Sequence, residues 1–173
     1  MFCGDNPVNF VDPLGLANVF LYGRGGHTSW ENINLAGMGN SFDYSYEVSG
    51  LTDAANVVAR LAQSGVNIDL ITIAGHGTEA GQFLGDEMLS PSSEKCPKKQ
   101  TQIQKIGASL SSSGILQLLG CNVAGAYPGM NGPEYIQNIA NEANRPVVAY
   151  TGKTWFTIWG SANFGDTVIR APR

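Results

Sequence analysis

Residues 68–77 read I-D-L-I-T-I-A-G-H-G, a run of β-branched residues that ends in two glycines around His76. β-Branched residues favour strands, so this pattern predicts a buried strand over residues 68–74. The segment before it, residues 51–64, has apolar residues at helical spacing, and Gly65 provides a stop signal. A helix followed directly by a buried strand is the repeating unit of α/β domains.

The same order of helix and strand recurs on both sides of this stretch. Short apolar runs bounded by turn residues predict strands, and longer amphipathic runs predict helices. The further predicted strands are residues 17–22, 115–119 and 147–150, and the further predicted helices are residues 102–110 and 133–143. Continuous apolar strands that alternate with helices predict an α/β fold layered around a mostly parallel sheet.

The size and hydrophobicity of the chain fit a single core. The chain has 173 residues, of which 43% are hydrophobic and 14% charged, enough to build one compact domain. The sequence has neither an apolar run of about 18 residues nor a basic segment followed by an apolar stretch, so we expect no membrane span and no signal peptide. Export is therefore expected to depend on sequence outside this chain.

Charge and cysteine content restrict the expected partners and cofactors. The formal charge is −4, from 10 basic and 14 acidic residues, which gives no general attraction to the phosphates of nucleic acid and argues against a nuclease. Cys3, Cys96 and Cys121 cannot all pair with one another, and their separations match no zinc pattern. We therefore expect at least one free thiol and no metal, and the lack of a P-loop or a G-x-G-x-x-G dinucleotide motif leads us to expect no organic cofactor.

Two reactive side chains follow neighbouring predicted strands. His76 comes directly after the strand at residues 68–74, and Cys121 follows the strand at residues 115–119 in the string L-L-G-C-N. Parallel strands place their carboxyl ends at one edge of a sheet, so the two side chains are expected to meet there. A thiol becomes a strong nucleophile as the thiolate, and an adjacent imidazole can take its proton. The N–H groups of Gly77 and Cys121 could then bind the oxyanion of a tetrahedral intermediate.

Three further residues are candidates for substrate binding because they flank the two catalytic loops or a later strand. They are Asn122, Glu79 and Trp155. Ordinary solvent exposure of polar loop residues explains the first two equally well, and packing in the core or against the sheet is the favoured interpretation of the tryptophan.

The first residues carry a separate motif. Residues 6–16 read N-P-V-N-F-V-D-P-L-G-L, which closely resembles the string that closes the core of Rhs and YD-repeat proteins. The resemblance implies that residues 1–16 end an Rhs core and that residues 17–173 form a variable toxin domain. It also implies cleavage after Leu16 with Asp12 in the self-cleavage motif, although the upstream half of that machinery is absent from this chain.

A second resemblance covers roughly residues 51–151. The strings that carry it are D-L-I-T-I-A-G-H-G at 69–77, G-Q-F-L-G at 81–85 and L-L-G-C-N-V-A-G at 118–125. They resemble bacterial caspase-like cysteine peptidases, in which a histidine before a glycine and a cysteine end successive core strands. The separation of His76 and Cys121, about 45 residues, agrees with the approximate spacing noted for caspases.

This second resemblance implies a caspase-like three-layer α/β/α sandwich. It assigns His76 as the general base and acid, Cys121 as the nucleophile, and Gly77 with Cys121 as oxyanion donors. The caspase string Q-A-C-x-G is missing, so the aspartate specificity of caspases is not carried over. No third residue to orient His76 is evident, which leaves a dyad.

Together the two resemblances lead to one functional hypothesis. The chain is expected to be an Rhs-type polymorphic toxin, a hydrolase that a secretion system delivers into the cytoplasm of a target cell in interbacterial competition or in a host. There it would cleave a protein substrate, with the Rhs shell of the parent chain and a cognate immunity protein as partners and neither nucleic acid nor membrane among them. The alternatives are a toxin of other chemistry, such as a nuclease or ADP-ribosyltransferase, and a catalytically inactive caspase-like interaction module.

Overall fold

A computed structural model describes residues 15–23, 29–90, 96–127, 130–157, 160–163 and 165–173. In chain order its elements are β1 (Leu16–Tyr22), α1 (Ser29–Met38), β2 (Tyr44–Glu47), α2 (Leu51–Gln63), β3 (Asn67–Ala74), β4 (Gly77–Thr78), β5 (Gly81–Leu84), β6 (Glu87–Leu89), α3 (Pro97–Ser109), β7 (Leu110–Leu119), β8 (Ala126–Tyr127), β9 (Met130–Asn131), α4 (Gly132–Ala143), β10 (Val147–Tyr150), β11 (Thr154–Thr157), β12 (Gly160–Asn163) and β13 (Thr167–Arg170).

The central sheet of the described chain has six strands in the order β13-β10-β7-β3-β1-β2. Every neighbouring pair is parallel except β10 with β13, which is antiparallel. Helices pack on both faces, so the predicted three-layer α/β/α architecture around a mostly parallel sheet is confirmed. The predicted strands at residues 17–22, 68–74 and 147–150 match β1, β3 and β10 to within one residue at each end.

Two elements are longer than predicted. Helix α3 begins at Pro97, five residues earlier than expected, because a proline fits the first turn of a helix, where its missing N–H needs no partner. Strand β7 begins at Leu110 and not at residue 115, because its first residues also pair with β3. The serines in this part hide it from a hydrophobic pattern. Ser111 and Ser113 instead donate hydrogen bonds to the carboxylate of Asp69, at 3.0 and 3.3 Å.

The core lies on both faces of the sheet, as the alternation of β1 shows. Val19 and Leu21 join the larger cluster, which holds the apolar faces of α2, α3 and α4. Phe20 and Tyr22 point the opposite way and join a smaller cluster with Leu35 of α1. Burial of both faces explains why the inner strands are continuously apolar.

The hydrophobic pattern did not indicate helix α1, the edge strands β2 and β13, or the short antiparallel strands. One of these, the sheet β4-β5-β6, follows His76 directly. It is fixed to the N-terminus of α2, where Glu87 Oε2 accepts a hydrogen bond of 2.8 Å from Leu51 N–H. A carboxylate satisfies an unpaired N–H at that end and interacts favourably with the helix dipole. The segment after His76 is thereby held against the body of the domain.

Candidate active site

The register of the two central strands determines how the two loops meet. Ala74 and Leu119 are paired residues at the ends of β3 and β7, and His76 and Cys121 each lie two positions beyond their strand. The ladder continues one step past the strands, since Gly75 N–H donates to the carbonyl of Leu119 at 3.1 Å. The two loops therefore leave the same edge of the sheet side by side.

The loops also touch at their backbones. A Cβ placed on Gly77 would overlap the amide nitrogen and the carbonyl oxygen of Cys121, and it would lie 2.7 Å from the carbonyl carbon of Gly120. Only a residue without a side chain allows this approach. Gly77 and Cys121, the two residues predicted to supply oxyanion donors, are thus in direct contact.

The half-buried side chain of Cys121 lies against the start of β11. Thr154 N–H donates to the sulfur at 3.3 Å, and the thiol donates to Thr154 O at 3.4 Å. Within the described residues Cys121 and Cys96 are free cysteines. The sulfur is therefore held at a defined position by main-chain groups 33 residues further along the chain.

The turn that carries Cys121 runs alongside the segment between β10 and β11 and is hydrogen-bonded to it. Asn122 has a φ of 54°, a left-handed conformation that asparagine tolerates better than most residues. Its N–H donates to Gly152 O at 2.8 Å, and Ala124 N–H donates to Tyr150 O at 2.9 Å. These bonds fix the turn along its length.

The side chain of His76 is exposed, and its ring lies 6.4 Å from that of Phe83 between centroids. Its carbonyl oxygen accepts a hydrogen bond of 2.7 Å from Phe83 N–H. The backbone of His76 is therefore fixed by β5, while its side chain is exposed to solvent.

Gln82 is a site residue that the sequence reasoning missed. Its side chain is fully buried, and its Nε2 donates to Ile73 O at 2.9 Å and to Leu119 O at 3.0 Å. One side chain thus joins the ends of the two strands that lead to His76 and Cys121. Its Oε1 is buried without a hydrogen-bond partner among the described residues. The sequence signal for a buried, hydrogen-bonded role of Gln82 is that it is a polar residue inside the otherwise apolar string G-Q-F-L.

Thr154 is a second residue that was not predicted. Its side chain is buried, and its Oγ1 lies 3.1 Å from Gly120 O and 2.9 Å from Asn163 Oδ1. Nothing in the local sequence marks this threonine, because its role depends on the position of β11 against the cysteine turn.

The candidate substrate-binding residues fall around these loops. Asn122 directly follows the cysteine, Glu79 is exposed on the turn between β4 and β5, and Trp155 follows Thr154 with 63% of its surface exposed. Leu16 is the first residue of β1 and pairs with Asn67, so the predicted cut would fall inside this strand. The other residue of the predicted self-cleavage motif, Asp12, lies outside the described residues.

Within the ranges described above, no group of three or more histidine, cysteine, aspartate or glutamate side chains is arranged to hold a metal ion. In the same part of the chain, no helix is long and apolar enough to cross a membrane.

A family profile described as "Domain of unknown function (DUF4347)" matches residues 38–165, about three quarters of the chain. The matched region contains both predicted catalytic residues together with Gln82 and Thr154. A search of curated proteins finds no match.

Proposed function

This chain belongs to the DUF4347 family, and we propose that it is a cysteine endopeptidase that uses a His76–Cys121 dyad. The family description assigns no activity, so the proposal rests on the residues of this chain. It draws on the caspase-like strings of the sequence and on the geometry at the carboxyl edge of the sheet.

The observation that carries the proposal is the matched position of the two loops. Ala74 and Leu119 are register partners, and His76 and Cys121 each come two residues after one of them. Gly77 lies directly against Cys121. A buried cysteine of purely structural function needs neither a neighbouring histidine loop nor a glycine packed on its amide. Nucleophilic attack assisted by a base and by oxyanion donors requires a histidine near the cysteine and N–H groups beside it, and the contact between the two loops supports both.

In the proposed reaction, His76 takes the thiol proton of Cys121, and the sulfur attacks the carbonyl carbon of a peptide bond. The N–H groups of Gly77 and Cys121 donate to the oxygen as it becomes an oxyanion. The tetrahedral intermediate collapses when His76 returns the proton to the leaving amine, which breaks the C–N bond and leaves a thioester on Cys121. Water, deprotonated by His76, then hydrolyses the thioester and restores the thiol.

The resting geometry adds one requirement. The thiol proton of Cys121 is within reach of Thr154 O, so the S–H bond must rotate toward His76 before proton transfer. The Thr154 N–H contact keeps the sulfur in place during that rotation. Trp155, the residue after Thr154 in β11, is 63% exposed and is a candidate apolar surface for a substrate side chain.

We also propose that this peptidase is a toxin delivered through a secretion system and released from an Rhs shell. The motif at residues 6–16 supports this part of the proposal. A protein substrate in the target cell and a cognate immunity protein in the producing cell follow from it.

A catalytically inactive interaction module is the second candidate. The observation in its favour is that main-chain groups of Thr154 already contact the Cys121 sulfur on both its donor and acceptor sides. A thiol engaged in this way could be a structural residue of a fold that has lost catalysis.

The test is inducible expression of the whole 173-residue chain in a bacterium, with new protein N-termini labelled and identified. The variants are Cys121→Ala and His76→Ala, with Cys96→Ala as a control that removes the other described thiol. We expect growth arrest and new N-termini for the wild type and for Cys96→Ala, and neither effect for the two dyad variants. Growth arrest by Cys121→Ala would exclude the dyad and point to a toxin of other chemistry. Cleavage by none of the proteins would favour the inactive module.

A further inference from the structure

We propose that Thr154 is a positioning residue for the oxyanion hole, because its side-chain hydroxyl fixes the peptide unit between Gly120 and Cys121. This inference rests on the proposed peptidase function and assigns a part of that site to a residue from a distant strand.

The hydroxyl of Thr154 lies 3.1 Å from Gly120 O and 2.9 Å from Asn163 Oδ1. A hydroxyl has one proton to donate, while the nitrogen and oxygen of an asparagine side chain can exchange places by a flip. Thr154 donates that proton to Gly120 O when the Asn163 side chain is turned so that its N–H₂ group, and not Oδ1, faces the hydroxyl oxygen. Thr154 is only 6% exposed, so water does not compete effectively for this hydrogen bond.

Holding Gly120 O also determines the direction of the Cys121 N–H. The two groups belong to one planar trans peptide, in which C=O and N–H point in opposite directions. Gly120 has no side chain to restrict rotation of this peptide unit. The Thr154 hydroxyl supplies the restraint, and the Cys121 N–H is the predicted oxyanion donor.

A second buried side chain fixes the preceding peptide unit. Gln82 donates to Leu119 O at 3.0 Å, so the carbonyls of Leu119 and Gly120 are each held by a side chain from outside β7. With both carbonyls fixed, the two peptide units that lead to Cys121 are restrained. Such preorganisation of donors is the main way in which a protein stabilises an oxyanion.

The backbone and the side chain of Thr154 act on different parts of the site. Its N–H and C=O contact the Cys121 sulfur, whereas its hydroxyl contacts the peptide that carries the oxyanion donor. Replacing Thr154 with valine removes the hydroxyl and keeps the shape and the backbone contacts. The oxyanion function can therefore be separated from the position of the nucleophile.

The experiment compares the wild-type chain with Thr154→Val, Thr154→Ser and Thr154→Ala on a peptide taken from an identified cleavage site. We expect Thr154→Val to lower kcat about 10- to 100-fold with little change in KM, because a misaligned donor loses much of its contribution. Thr154→Ser, which keeps a hydroxyl, should stay within about fivefold of the wild type by the same argument. The rate of alkylation of Cys121 by iodoacetamide should be unchanged in both, because alkylation forms no oxyanion.

Three results would overturn the inference: a kcat for Thr154→Val near that of the wild type, an equal loss in Thr154→Ser, or a parallel fall in the alkylation rate. Thermal unfolding checks that each variant folds, and Thr154→Ala is the substitute if valine does not fit.

Failure of the peptidase proposal is distinguishable from failure of this inference. If the wild-type chain cleaves nothing, the peptidase proposal fails, and relaxation dispersion of the Cys121 amide tests the hydroxyl restraint directly. Thr154→Val should then show new microsecond-to-millisecond exchange at Gly120 and Cys121 that is absent from Thr154→Ser. Identical dispersion in the two variants would rule out the restraint.

Discussion

The backbone of Gly77 lies directly against that of Cys121, so that a Cβ at position 77 would overlap both the amide nitrogen and the carbonyl oxygen of the cysteine. This contact joins the loop after β3 to the loop after β7. It brings the backbones of the two loops that carry His76 and Cys121 together in one small region.

Gly77→Ala is expected to separate the two loops. Backbone atoms cannot move aside as a flexible side chain can, so we expect a loss of about 1–3 kcal/mol in the free energy of unfolding, typical of overpacking, together with loss of cleavage. Urea unfolding and a peptide assay measure the two effects. Gly65→Ala is the matched control, because Gly65 has a φ of 91° and no atom within 4 Å of its added Cβ. It should lose about 1 kcal/mol from backbone strain and keep its activity, and an active Gly77→Ala would show that the contact is dispensable.

Gln82→Met is expected to reduce activity with little change in stability. The substitution removes the two hydrogen bonds that join the ends of β3 and β7, and it also removes a buried oxygen that has no described partner. The lost bonds cost about 0.5–1.5 kcal/mol each, while removal of the unpaired oxygen recovers about 1–3 kcal/mol. We therefore expect a net change in the free energy of unfolding of less than about 2 kcal/mol, measured by urea denaturation.

Gln117→Met is the control for this prediction. Gln117 is fully engaged, since its side chain accepts from Thr72 at 2.9 Å and donates to Tyr150 at 2.8 Å. Its replacement should lower stability by about 1–3 kcal/mol, because it leaves the buried Thr72 hydroxyl without that partner. The interpretation of Gln82 is wrong if its variant loses more stability than Gln117→Met and retains full activity.

The reactivity of Cys121 is expected to depend on His76. A neighbouring imidazole can accept the thiol proton as the sulfur attacks, so His76→Asn should slow alkylation of Cys121 by iodoacetamide by about tenfold or more. Peptide mapping by mass spectrometry gives separate rates for each cysteine. Cys96, the residue directly before α3, provides an internal control, because its rate should be equal in both proteins. Equal rates at Cys121 would show that the imidazole does not act on the sulfur.

Glu87→Ala is expected to loosen the segment that follows His76. The carboxylate accepts a hydrogen bond from the first N–H of α2, and loss of such a cap costs about 1 kcal/mol in the free energy of unfolding. Glu87→Gln keeps an acceptor and should lose about half as much, since only the charge interaction with the helix dipole disappears. Limited proteolysis should cut the β4-β5-β6 segment faster in Glu87→Ala. A cleavage pattern identical to that of the wild type would show that other contacts hold this segment.

Much of the fold could be predicted from the sequence because the inner strands of a parallel sheet are buried on both faces. β1, β3 and β10 therefore appear as continuous apolar runs, and the amphipathic helix α2 was predicted to within one residue. The exposed edge strands β2 and β13 carry no such pattern, because water covers one side of each. The serine-rich start of β7 was missed for a similar reason, since the side chains of Ser111 and Ser113 bind Asp69.

The residues of the candidate site also fall into a group that the sequence predicts and a group that it does not. The sequence by itself placed His76 and Cys121 at the ends of two strands and a glycine beside each, because strand propensity and turn residues act over a few neighbouring positions. Only the tertiary structure brought Gln82 to the ends of β3 and β7 and Thr154 to Cys121. Their hydrogen bonds join residues 9 to 37 positions apart. Such contacts depend on how the short antiparallel strands pack over the edge of the sheet, and local sequence does not encode that packing.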